Sequence, residues 1–152
     1  MKKVITTSNI DISYIVEALQ SYIEDCEKSK FDIALKMKDI RFLQELLDRY
    51  FDNIVQVGNL DEIRESLMRF QDLCYDCSRL KKRIKDHQRL LVDILKGYEG
   101  LNIKVLYDEQ AWIEKHRNTL THDLISVEKE ILVIADNVIR LDQDHRNTML
   151  HC

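Results

Sequence analysis

Cys74 and Cys77 stand three residues apart in Cys-Tyr-Asp-Cys, the spacing at which two thiolates chelate zinc or form a redox pair. Either chemistry needs more than the pair itself. A zinc site needs further ligands to complete a tetrahedron, and a reactive thiol needs surroundings that lower its pKa. No second Cys-x-x-Cys and no nearby histidine pair supplies them. Cys26 and His87 come close only if the packing of helices brings them there. On a continuous helix, residues three apart share a face, so the plainer reading makes both cysteines small apolar fillers of a core. His87 falls in an apolar seam and reads as a core or boundary histidine with a hydrogen-bond partner. Asp142-x-x-His145 is half of a carboxylate–histidine metal motif whose other half is missing. A metal- or thiol-using helical sensor or enzyme at Cys74, Cys77 and His87 therefore stands as an alternative function, and no cofactor or metal is the primary expectation.

Arg79, Lys81, Lys82, Arg83, Lys85 and Arg89 form a basic run. Its candidate patch (Arg79, Lys82, Arg83, Lys85, Arg89) could bind nucleic acid or anionic lipid, a second alternative. Aromatic interleaving, on which single-strand binders stack bases, is absent. The bland reading is a solvated helix face. His122-Asp123-Leu124 resembles the His-Asp-Leu of phosphoacceptor helices in two-component signalling, but no glycine-rich nucleotide loop accompanies it. P-loop, nucleophile-elbow, zincin and EF-hand patterns are all missing. Catalytic groups sit disproportionately on loops held by a scaffold, and this chain has little loop to offer.

The elements that must carry these residues are helices. The 152 residues include no proline and only three glycines, Gly58, Gly97 and Gly100. Each glycine falls between periodic segments, where it ends a helix and reverses the chain. The first segment spans about 10–57, with Ser8 or Asn9 placed to cap it. Its apolar stripe runs through Ile12, Ile15, Leu19, Tyr22, Cys26, Ile33, Ile40, Leu43, Leu47, Tyr50, Ile54 and Val57, interrupted by Ser29 and Lys36. The alternating steps of three and four are those of a coiled-coil seam. Val16, Ile23, Met37, Leu46 and Phe51 widen it, which favours contact with more than one helix. A break is expected, if anywhere, at Glu27-Lys28-Ser29-Lys30.

The second segment spans about 60–96, with a seam of Phe70, Leu73, Cys77, Leu80, Ile84, His87, Leu91 and Ile94. The third spans about 102–145, with Ile113, Arg117, Leu120, Leu124, Val127, Ile131, Ile134, Val138 and Leu141. Its β-branched start, Ile103 to Tyr107, could be extended, and its end from Arg146 is expected to fray. The expected fold is all-α: an elongated antiparallel three-helix coiled-coil-like bundle, 1–152 as one domain, with a fourth helix if the first breaks near Ser29. Such a bundle resembles spectrin-type repeats in outline. Trp112-Ile113-Glu114 and Asp123-Leu124-Ile125-Ser126-Val127 are similar to a spectrin first helix but lie here on the last one, so no family membership follows.

At 1.5 Å per residue the first segment is about 70 Å long and the second about 55 Å. The excess length of the first would leave Ile12, Ile15, Leu19 and Tyr22 as an uncovered apolar stripe, the mark of an interface. Trp112, the single tryptophan, lies off the seam and is a candidate anchor, its alternative being packing against Tyr98 or Tyr107. The net charge of −4 disfavours a dedicated nucleic-acid binder. No apolar run suits a signal peptide or membrane span, and of the four cysteines Cys26, Cys74 and Cys77 lie in helical stripes and read as free thiols, so a cytoplasmic or nuclear setting is expected rather than secretion. Together these point to a non-enzymatic scaffold, adaptor or complex subunit that binds a protein partner, or itself, through helical faces.

Overall fold

The computed structural model describes residues 2–57, 60–97 and 102–150, with side chains at 12–56, 60–97, 102–144 and 146–148. Three helices account for nearly all of them: α1 (Lys2–Val57), α2 (Leu60–Leu95) and α3 (Ile103–Leu150). The fold is an all-α bundle of three helices, with no strand among the described residues. Turn residues Gly58, Asn59, Tyr98 and Gly100 lie outside the description, as do the side chains of Val57, His145 and Cys152.

Each helix contributes one stretch to each of two compact units. Unit 1 comprises Met1–Ala34 and Ser78–Asn118. Its core takes Leu19, Cys26, Ser29 and Ile33 from α1, Leu80, Ile84, His87 and Leu91 from α2, and Leu106 and Ile113 from α3. Unit 2 comprises Leu35–Cys77 and Thr119–Cys152. There α1 buries Ile40, Leu43, Leu47 and Ile54, α2 buries Ile63, Phe70, Leu73 and Cys77, and α3 buries Leu120, Leu124, Val127, Ile131, Ala135 and Val138. These are the expected seam positions almost throughout. Each fully buried aliphatic chain contributes about 1.5–3 kcal/mol, several times what an exposed ion pair adds.

Three local features depart from expectation, and two settle alternatives that the sequence left open. Helix α1 runs unbroken through Glu27-Lys28-Ser29-Lys30, so there is no fourth helix. Ser29 is only 2% exposed, and Lys30 bonds both Glu27 (3.3 Å) and Gln88 of α2 (3.0 Å), which holds the polar stretch in register. The helix also begins at Lys2, so Ser8 and Asn9 lie inside it rather than at its cap. Ile103 to Tyr107 is helical, because burying Leu106 outweighs the strand preference of its β-branched neighbours. Helix α3 continues to Leu150 instead of ending near 145. Late in α3 the buried residue is Ala135, with Ile134 half-exposed and Leu141 exposed, because a helix of 3.6 residues per turn drifts against a strict 3.5-residue repeat.

The ends of the α2–α3 connection carry recognisable stop and start signals. Gly97 takes φ +109°, a conformation costly for residues with a Cβ, and its N–H donates to the Ile94 carbonyl at 3.1 Å. Asn102 caps α3: its Oδ1 accepts from the Val105 N–H at 3.2 Å, while its carbonyl accepts from Leu106 N–H at 3.2 Å. Replacing Asn102 with Ala is expected to cost about 1 kcal/mol, read as a lowered urea midpoint with unchanged slope. A midpoint equal to that of the unaltered chain would show that the cap contributes nothing.

Candidate functional site

The residues expected to bind a partner occupy different environments in unit 1. Ile12 is 55% exposed and Ile15 and Tyr22 are half-buried, whereas Leu19 is 4% exposed and belongs to the core. The register of α1 against α3 explains the division. Asp32 of α1 accepts from Arg117 of α3 at 3.2 Å, and Asp25, Lys28 and Ser29 share a cleft of about 230 Å³ with Gln110, Ile113 and Glu114. That pairing sets the first turn of α3 level with α1 around Leu19, so Ile12 extends past it. Arg117 therefore does more than keep its charge in water from a seam position. It ties α1 to α3.

Trp112 is not a free anchor. The Arg83 guanidinium lies 3.4 Å from the Trp112 ring centroid, and the His116 ring stacks on the same indole at 3.6 Å with a 20° tilt. Arg83 also forks onto Glu109, its Nε and Nη2 donating at 2.5 and 2.9 Å. The Nδ1–H of His116 donates to the Trp112 carbonyl at 2.8 Å. The fork holds Glu109 below the usual carboxylate range and pushes Arg83 higher still. Of the two tyrosines expected beside the indole, Tyr107 is exposed and Tyr98 lies outside the described residues. The i, i+4 spacing of Trp112 and His116 was visible in the sequence, but the arrival of Arg83 from α2 was not, because it depends on inter-helix register.

The basic run divides in the same way. Arg83 is committed to α3, while Lys82, Lys85 and Arg89 are exposed. Lys85 and Arg89 line a groove of about 490 Å³ between α1 and α2, together with Lys30, Gln88, Val92, Asp93 and Lys96. Lys30 and Lys96 were not part of the expected patch. Gln88 anchors the rim, its Nε2 donating to Glu27 at 2.6 Å.

Cys74 and Cys77 belong to unit 2 and His87 to unit 1. His87 is 4% exposed, and its Nε2–H donates to Gln110 Oε1 at 2.9 Å. Burial raises the Cys74 thiol above its ordinary pKa and pushes Cys26 up to about 11, opposite to what a reactive thiol requires. Among the described residues, no three His, Cys, Asp or Glu side chains are grouped to hold a metal ion.

His87 makes stability depend on pH. Burial lowers its pKa, and the Gln110 hydrogen bond only partly opposes this. A histidine depressed in the folded state stabilises above the unfolded value, about 6.5, and the benefit fades as pH falls through the folded value. Glu109 is also lowered, so its contribution persists to lower pH and is lost only below the ordinary carboxylate range. Urea midpoints should fall between pH 7 and 5, and His87→Leu should flatten that slope; an equal slope in the variant would clear His87 of the effect. Arg83→Lys keeps the charge but loses the fork and the planar stack, and is expected to cost about 1 kcal/mol. Because Trp112 is the single tryptophan, its emission should shift in that variant; an unchanged spectrum would mean the stack does not form. The chain matches no protein-family model, no curated protein and no solved structure.

Proposed function

We propose that this protein is a non-enzymatic interaction module, a scaffold, adaptor or complex subunit whose helices bind other helices, including those of a second copy. One observation carries the reading. In unit 2, large apolar side chains recur seven residues apart on positions that the bundle itself leaves exposed: Leu35 and Phe42 on α1, Met68 and Tyr75 on α2, Ile125 and Leu132 on α3. Each of these six is at least 41% exposed. Scattered surface hydrophobics are ordinary, but a heptad spacing repeats the rule by which helices dock. Phe42 lies on the same helix as the buried Ile40 and Leu43, so one rigid element serves core and surface together.

The thiol environments support the same reading over a thiol-based enzyme, since burial keeps Cys26 and Cys74 protonated at neutral pH. No described helix is long and apolar enough to cross a membrane. Cys26, Cys74 and Cys77 are thiols outside any disulfide, which fits a reducing compartment, and on that ground we propose a cytoplasmic or nuclear setting.

Light scattering over a concentration series tests the reading. The unaltered chain is expected to exceed its 18.1 kDa monomer mass as concentration rises, and Phe42→Glu combined with Leu132→Glu to remain monomeric with an unchanged helical spectrum. Binding of a hydrophobic dye should drop in the same variant. A chain that stays monomeric and binds dye no better than the variant has no usable apolar face, and the proposal fails.

A further inference from the structure

We propose that the α1–α2 groove of unit 1 docks a carboxylate-rich amphipathic helix from a protein partner, a surface distinct from the apolar pairs of unit 2. The inference rests on reading the chain as an interaction module and names the chemistry of one partner. Lys82 and Arg89 on the exposed side of α2 and Lys96 just past its end recur every seven residues, and Lys85 stands beside them. All four are exposed, and among the described residues none of their side chains has a hydrogen-bond or ion-pair partner. Lys30 of α1, its charge already paired with Glu27 at 3.3 Å, lines the groove from the other helix, and half-buried Val92 lines it as well. The arginines of two other grooves are already paired. In the α1–α3 cleft Arg117 is neutralised by Asp32, and in the α2–α3 groove of unit 2 Arg69 is neutralised by Glu130 at 2.9 Å.

The arrangement of the cations selects the ligand. They do not converge on a point, as a small phosphate would need. Lys82 and Arg89 lie on α2 and Lys96 follows its last residue, Leu95; at helical rise the row is about 21 Å long, with charges about 10.5 Å apart. Backbone phosphates repeat about every 3.4 Å along a strand, far more closely than this row. α2 has no Phe, Tyr or Trp between Leu80 and Lys96 on which bases could stack. Asp86 and Asp93 also stand within the row and would repel a uniform polyanion. A partner helix has the matching period, because its own outer positions repeat every seven residues. Glutamates there would meet Lys82, Arg89 and Lys96 while an apolar edge covers Val92.

The test uses the full chain and a labelled synthetic helical peptide of three heptads, apolar along its seam and glutamate on the flanks. The comparison ligands are the same peptide with lysine flanks, a single-stranded oligonucleotide of similar length, and vesicles containing anionic phosphatidylserine. The glutamate peptide is expected to bind, to weaken with salt, and to lose at least about tenfold in affinity when Lys85→Glu, Arg89→Glu and Lys96→Glu are combined. These exposed positions leave the helical spectrum unchanged. Phe42→Glu with Leu132→Glu should leave peptide affinity within about twofold, so loss of self-association and loss of peptide binding are separable. The proposal is overturned by equal binding of the two peptides, by a triple variant that binds as well as the parent, by absence of binding, or by tighter binding of the oligonucleotide or the vesicles.

Discussion

Each of these helices can shed its apolar stripe from water only against the other two, and that mutual burial is the constraint on which everything else in the structure depends. No helix here is apolar all round. Ile84, Leu91 and Ile131 reach complete burial while their neighbours one and two positions away stay at least partly in solvent. The stabilisation is distributed over many side chains of about 1.5–3 kcal/mol each, against a similarly large cost of ordering the chain. Chemistry that needs a recessed polar pocket finds little room in such a packing. The polar groups that enter the core do so as guests of the seam. Among the described residues no buried side-chain nitrogen or oxygen lacks a partner.

Apolar burial alone does not choose a register, since a seam of Leu and Ile can slide by one heptad at modest cost. Polar contacts between helices make the choice. In unit 1 Arg117 meets Asp32, Arg83 meets Glu109 and His87 meets Gln110; in unit 2 Arg69 meets Glu130. Each is worth little as stability, because the charges are partly solvated. A slide by seven residues would break the contacts together and leave His87 buried without Gln110, which is costly. Ser29, Lys36, Ser66 and His87 act in the same sense: buried polar positions tolerate only the alignment that satisfies them.

This division of labour explains what could be read in advance. The three helices were legible because glycine marks the breaks and the seam repeats without a slip. Burial of Leu19, Cys26, Ile33, Ile40, Leu43, Leu47 and Ile54 on α1 follows from that period alone. Continuity through Ser29 was not legible, because a polar tetrad is neutral as a local signal and only Gln88 on another helix decides it. The surroundings of Trp112 were hidden for the same reason. Its position off the seam was evident, but Arg83 reaches it from α2 only in the realised register. Side-chain neighbours across helices are long-range facts, and a period reports only local ones.

The surface follows the same logic once more. A bundle of three helices uses about one stripe from each, so any second heptad-spaced stripe is superfluous to the fold. Leu35 with Phe42 and Ile125 with Leu132 form such stripes, and leaving them in water costs solubility without adding to the core. Lys82, Arg89 and Lys96 repeat with the same period in charge rather than in apolarity. On the proposed reading, the outer faces carry a seven-residue period because a partner packed along them has that period too. The internal seams have their partners within the chain. The outer ones are written in the same spacing, and their chemistry, apolar in unit 2 and cationic in unit 1, describes two different helical surfaces that would satisfy them.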